Sequence, residues 1–255
     1  VAVSVKNGCR SPFQCHCNFT KGTAVIDTLF SAHLKRVSVL RPAVSVILND
    51  STAHPRLLCQ RSTVTWADRY QNYPDLPERF DREFCVLGYQ GFNTGWHWWE
   101  VSVQEATDNA PVWGTACWAI GVAKESVRRK GRFQLSPQEG IWAVGRSVSG
   151  EMVAFDTHQQ KLSWEKPLQR LRVRVDYETK EMEFLDAETE ALLHTFQMGS
   201  LLGEMLQPFF YLGQKGVTLQ CEQYPLLKSL RNWTRCGLLS PRHARPPYPF
   251  AMLSQ

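Results

Sequence analysis

Hydrophobic and polar positions alternate with a period of two along much of this chain. Trp99, Val101 and Val103 fall on one side of an extended segment, and Glu100, Ser102 and Gln104 on the other. Leu171, Val173, Val175 and Tyr177 alternate with Arg170, Arg172, Arg174 and Asp176 in the same way. Both patterns predict strands with one face in a core and one in water. Trp96, Trp98 and Trp99, close to β-branched residues, suit such a half-buried sheet. The turn at 178–181 predicts a hairpin, with Met182 and Phe184 on the returning strand.

Further strands are predicted around Val44, Val46 and Leu48, at Leu57-Leu58, at Val64-Thr65-Trp66, from Phe84 to Gly88, from Trp118 to Val122, from Leu206 to Gly213 and at Val217-Thr218-Leu219. Asp50 to Pro55 reads as a turn. The segment 68–81 contains Asn72, Pro74, Asp75 and Pro77 and reads as a loop. Short strands at this spacing, separated by turn signals, predict an all-β, bent antiparallel sandwich. Residues 1–40 show no sustained periodicity. After Glu222 the chain turns to Pro241, Pro246, Pro247 and Pro249 among scattered arginines, the composition of a loose tail.

Charge sharpens this division. The 255 residues carry a net charge of +5, but residues 1–40 contribute +4 and residues 223–255 contribute +5. Residues 41–222 hold 19 basic and 23 acidic side chains, a net of −4. A folded nucleic-acid reader concentrates positive charge on the domain itself, so no nucleic-acid partner is expected. The eight cysteines are too few for a disulfide scaffold in a chain this long. Cys59, Cys85, Cys117 and Cys221 lie among apolar residues and read as reduced structural thiols. No apolar run reaches the ~20 residues of a membrane span, and Lys6 is followed by polar residues and cysteines instead of a signal-peptide core. The expectation is a cytoplasmic protein without direct membrane insertion, and the sequons at Asn18, Asn49 and Asn232 read as unmodified.

Enzyme chemistry finds no foothold. No G-x-S-x-G, H-E-x-x-H or Walker pattern occurs. His54, between Ala53 and Pro55, has no nucleophile nearby in sequence and reads as a structural hydrogen-bonding residue. Cys9, Cys15, His16 and Cys17 lack the paired spacing of a zinc site. The expectation is no metal, no cofactor and no catalysis.

Five ordered blocks then resemble one family. Leu48 and Thr52-Ala53-His54-Pro55 match its opening motif, which Asn49 and Asp50 depart from. Gly88, Gly95-x-His97-x-Trp99-Glu100-Val101, and Trp118-x-x-Gly121-Val122-Ala123-x-Glu125-Ser126-Val127-Arg128-Arg129-Lys130-Gly131 follow. Val175-Asp176-Tyr177-Glu178 and Pro208-Phe209-Phe210 complete the series. Together they resemble the PRY-SPRY (B30.2) domain of tripartite-motif ubiquitin ligases and butyrophilins. The resemblance implies a PRY part over 41–92 and a SPRY part over 93–222, between a segment 1–40 left unassigned and a basic tail 223–255.

It also implies a protein-interaction module, one that binds a protein or peptide target through loops at one end of the sandwich. The fullest reading is the substrate-recruiting domain of a tripartite-motif ligase, with ubiquitin-pathway partners reached through other domains. The alternative is the intracellular ligand-sensing domain of a butyrophilin-like receptor, with Arg170, Arg172 and Arg174 as a basic face for a phosphorylated ligand. The loops assigned to binding are 106–115, 145–148 and 213–216, with 68–81 alongside. Trp113 could be an exposed anchor or pack back on the sandwich. Asp108 and Asn109 share its loop. Arg146 could pair with a carboxylate or be simply solvated. Ser147, Gln214, Lys215 and Tyr70 complete the candidate partner-binding set.

Overall fold

The structure, a computed structural model, describes residues 43–105, 116–164, 167–199 and 203–224. Fourteen strands appear in them: β1 (Leu48–Asn49), β2 (Leu57–Gln60), β3 (Thr63–Trp66), β4 (Cys85–Gly88), β5 (Trp96–Glu105), β6 (Ala116–Lys124), β7 (Ile141–Ser147), β8 (Met152–Ala154), β9 (Gln160–Lys161), β10 (Arg170–Asp176), β11 (Glu181–Asp186), β12 (Leu192–Gln197), β13 (Leu206–Leu212) and β14 (Val217–Cys221). They form two seven-stranded sheets. The first runs β1-β4-β13-β6-β7-β8-β9 and the second β12-β11-β10-β5-β14-β3-β2. Every pairing is antiparallel.

The second sheet follows the alternation of its sequence. Leu171, Val173 and Val175 are buried while Arg170, Arg172, Arg174 and Asp176 are half-buried. On β5, Trp99 and Val101 are fully buried, opposite Val173 and Leu171. Two hairpins of this sheet turn by the same local chemistry. Asp176 Oδ1 accepts from the Glu178 and Thr179 amides, and Asp186 Oδ1 from those of Glu188 and Thr189. An aspartate bonding its own backbone two and three residues on is a turn former. Lys180 and Glu190 then close the turns at φ of 60° and 59°.

The first sheet is buried on both faces. Trp118, Ile120 and Val122 of β6 and Phe210 and Leu212 of β13 face the second sheet. Ala119, Ala123, Phe209 and Tyr211, on the same strands, point the other way into a second core with Phe80, Phe133, Leu135 and Phe155. The segment between β6 and β7 therefore folds back as a cover. This double burial explains why Ala116–Ala123 reads as one apolar run without alternation.

The structure moves one sequence-based boundary. Gly145, Arg146 and Ser147 belong to β7, so the turn assigned to 145–148 begins only at Val148. Gly145 opposes Ala119, and a Cβ there would sit 2.2 Å from the Trp118 carbonyl oxygen. Its smallness serves strand packing.

At the other boundary, Gln223 and Tyr224 are tied to residues 45 and 46. Gln223 donates to the Val46 carbonyl, and the Tyr224 amide donates to Ser45 Oγ at 2.9 Å. The tail assigned to 223–255 thus begins with two residues tied to the start of the folded body.

His54 is buried against Phe84, with the Arg56 amide donating to its Nδ1 at 3.0 Å. Burial lowers its pKa from 6.5 to about 4, despite an opposing hydrogen bond and charge from Asp81. The unfolded chain therefore takes up a proton between pH 6.5 and 4 that the folded chain refuses. Stability falls as pH falls through that window, by about 3 kcal/mol in total. Urea midpoints at pH 7 and pH 4.5 should diverge for the wild type and converge in His54→Gln.

Candidate functional site

One end of the sandwich gathers the sequence-assigned segments 145–148 and 213–216 beside the end of β5 and the start of β6. The strand β5 ends at Glu105, opposite Val217 at the start of β14, while the Gly213 amide donates to the Cys117 carbonyl at the start of β6. The turn between β7 and β8 lies at this same end, because Ala116 opposes Ser147.

Between the sheets at this end lies a cleft of about 840 Å³, within the range of ligand-binding clefts. Its walls pair every cation with an acid. Glu105 Oε2 accepts from Arg146, and Glu105 Oε1 accepts from Trp118 Nε1 at 2.5 Å. Lys161 Nζ lies 2.6 Å from Glu151 Oε1, which holds that carboxyl below the usual range. Arg170 reaches Glu188 at 3.8 Å and Glu100 at 3.6 Å. Met152, Leu162, Pro167 and Leu168 supply the apolar wall. Trp164 also lines the cleft, and its buried Nε1 has no acceptor among the described residues. Exposed ion pairs contribute only about 0.2–1 kcal/mol each to stability. Their consequence here is a fixed display of alternating charge with little net field.

Tyr70 and Lys215 meet at a smaller cavity of about 300 Å³, with Arg56, Trp66, Asp68 and Phe84. The Arg56 guanidinium lies 4.2 Å from the Tyr70 ring centroid, and Lys215 Nζ lies 2.7 Å from Asp68 Oδ1. The hydrogen bond from Lys215 lowers the Asp68 pKa. Tyr70 is 62 % exposed, an aromatic on view beside two ionic groups.

The remaining sequence-assigned residues divide. Arg146 is a cleft residue clamped to Glu105, neither free nor simply solvated. Gln214 is half-buried in the turn before β14. Ser147 is buried, and its hydroxyl shares a hydrogen bond with Ser149 Oγ at 2.7 Å. Val148, 54 % exposed, is what that turn presents. Trp113, Asp108 and Asn109 lie outside the described residues. Glu105, Glu151, Lys161, Trp164 and Glu188 carry no signal in sequence, because their partners or neighbours lie on other strands.

The arginines of the face read on β10 are paired with acids. Arg172 is bonded to Glu100 at 2.6 Å and to Glu190, and Arg174 reaches Glu190 at 3.2 Å and Glu183 at 3.5 Å. Cross-strand register makes this inevitable, since Glu100 sits opposite Arg172 on β5 and Glu183 opposite Arg174 on β11. The arginines are neutralised where they stand.

Comparison with known proteins fits this architecture. Residues 46–92 match the SPRY-associated domain PRY, and residues 96–224 match the SPRY domain. The chain belongs to the PRY-SPRY family of tripartite-motif proteins and butyrophilins. It is 35% identical over 173 residues to Tripartite motif-containing protein 10 of Sus scrofa, covering 67% of this chain and 34% of that protein. It is 31% identical to E3 ubiquitin-protein ligase TRIM58 of Mus musculus (76% and 38% covered) and 36% identical to Butyrophilin subfamily 1 member A1 of Bos taurus (69% and 32% covered). The chain thus spans about a third of the length of these relatives. Among solved structures, the TRIM65 PSpry domain superposes with a TM-score of 0.59 at 20% identity, covering 74% of this chain and 95% of that one. That likeness speaks to the fold. Among the described residues no helix is long and apolar enough to cross a membrane.

Proposed function

We propose that this chain is a recognition module that binds a protein or peptide target at the loop end of its sandwich. In this reading it is the target-recruiting part of a cytoplasmic tripartite-motif ubiquitin ligase. The observation that carries the proposal is the cleft whose three cations each face a carboxylate. Such a surface suits a partner that brings groups of both signs, as a folded protein or peptide does. A phosphorylated small molecule needs converging uncompensated cations, so the charge balance favours a protein target over phosphate sensing.

The test is capture from cell lysate by the immobilised full chain, quantified by mass spectrometry. The double variant Arg146→Glu/Lys161→Glu should keep its melting temperature within a few degrees, because both cations are at least a third exposed. It should lose specifically captured proteins at least tenfold, the ~1.4 kcal/mol that one misplaced charge readily costs at an interface. Capture unchanged by the double reversal contradicts the proposal. Trp113→Ala should weaken the same interaction by about 30-fold, as truncating an aromatic anchor does.

The purified chain, incubated with ubiquitin-activating and ubiquitin-conjugating enzymes, should transfer no ubiquitin. Recruitment is its part of the reaction, and transfer belongs to other domains. Transfer by the purified chain alone contradicts that division.

A further inference from the structure

Glu83 is the most anomalous ionisable group among the described residues. Its side chain is only 1% exposed, and neither carboxylate oxygen has a hydrogen-bond partner among the described residues. A buried carboxylate left in that state is costly, by several kcal/mol where it stays ionised. The nearest cation is Arg132, whose Nη1 stops 3.7 Å from Oε1 while its side chain is 74% exposed. At that separation the pair is a Coulombic contact without a hydrogen bond.

Glu83 borders a cavity of about 480 Å³ on the cover of the first sheet, shared with Arg132, Phe133, Ser136, Gln138 and Glu139. The cavity has no residue in common with the loop-end cleft. The polar groups around it are mostly committed elsewhere. Glu139 is bonded through both oxygens to Arg128, at 2.5 and 2.6 Å, and Gln138 donates to Thr157 Oγ1 at 2.6 Å. Ser136 precedes the short 3-10 turn Pro137–Glu139, and its hydroxyl makes no capping bond there. Glu83 therefore holds the unspent acceptor capacity, next to a movable guanidinium.

From this geometry we infer that the Glu83 cavity is a second binding site, which accepts an arginine or lysine side chain of a protein partner. The incoming cation displaces the Arg132 guanidinium and hydrogen-bonds the Glu83 carboxylate, with Ser136 Oγ as a further acceptor. Phe133 gives one apolar wall to the stem of the arriving side chain, as aliphatic stems of cationic residues require. Arg132 is then a competitor that the partner must move aside. Burial raises the Glu83 pKa, opposed by the Arg132 charge and, more weakly, by the Phe133 amide, which stands outside hydrogen-bonding geometry.

The test uses ethylguanidinium chloride as a probe, titrated into the full-length isotope-labelled chain at constant ionic strength against sodium chloride. Saturable amide shifts confined to Glu83 and 132–139 are expected in the wild type. They should strengthen severalfold in Arg132→Ala, where the competitor is gone, and disappear in the near-isosteric Glu83→Gln, whose unchanged remaining spectrum reports that it is folded. No saturable shift in either the wild type or Arg132→Ala overturns the inference. Shifts that persist in Glu83→Gln overturn it as well, since the carboxylate then plays no part. Failure of the loop-end cleft in the capture assay would leave this result untouched.

Discussion

Gly121→Ala should cost the domain at least ~3 kcal/mol and lower its melting temperature by roughly 10 °C. Gly121 lies mid-strand on β6 opposite Ala143, and a Cβ built there falls 2.0 Å from the Trp142 carbonyl oxygen and 2.6 Å from Ala143 Cα. Both obstacles are backbone, so no rotamer change relieves them; β6 and β7 must separate. Those strands carry Trp118 and Arg146, so the cleft deforms with the sheet. Gly131→Ala is the matched control. Gly131 has φ of 79° and nothing within 4 Å of its added Cβ, so only left-handed strain of about 1 kcal/mol applies. Equal melting temperatures for the two variants would show that the close approach of β6 and β7 is relieved more easily than the geometry requires.

Arg79→Met should be comparably damaging, at about 3–4 kcal/mol. Arg79 is buried, donating Nε to the Pro74 carbonyl and Nη1 to those of Asp50 and Ala53, at 2.7–2.8 Å. It also lies over the Tyr73 ring at 4.5 Å. Methionine keeps much of the volume but strands the Pro74 and Ala53 carbonyls, while that of Asp50 keeps the Ala53 amide at 3.2 Å; each hydrogen bond to a charged donor is worth about 1.5–3 kcal/mol before relaxation. Lysine cannot rescue it, because a single ammonium lacks the planar fork that spans these acceptors. The loop 68–81 should then exchange its amides faster in hydrogen–deuterium measurements. Tyr70 should lose its fixed place beside Arg56. Unchanged exchange in that loop would mean that Arg79 is dispensable to it.

How legible these features were in the sequence follows from the burial of each sheet. The second sheet has one solvated face, so β5 and β10 announce themselves by alternation, and the hairpin after Asp176 by its turn chemistry. The first sheet is packed on both faces. Its runs at Ala116–Ala123 and Pro208–Leu212 indicate burial without orientation, and the end of β7 from Gly145 to Ser147 passed as a loop. The short strands β8 and β9 carry too few residues for any period to show, and β12 is exposed or half-buried along most of its length.

The site divides along a similar line. Loop composition placed Tyr70 and Lys215 among the binding candidates, and the fold brings them to one cavity. The pairing of Arg146 with Glu105, 41 positions apart, depends on strand order, which no local pattern encodes. The burial of Ser147 is a matter of parity. Adjacent strand residues face opposite ways, so the neighbour of a half-exposed arginine is turned into the structure. Glu83 had no signal at all, since only the folded cover on the first sheet shows it without a partner.

The central claim is that a protein target sits on the loop end of the sandwich. A photo-crosslinking amino acid can be placed there at Val148, which is 54% exposed on the turn after β7. The matching position at the opposite end is Tyr89, 57% exposed, where the chain leaves β4 beyond Gly88. Irradiated in cell lysate, the Val148 probe should join the chain to a discrete protein that Arg146→Glu/Lys161→Glu abolishes, and the Tyr89 probe should not. A discrete adduct from Tyr89 alone would contradict the account and place recognition at the other end of the domain.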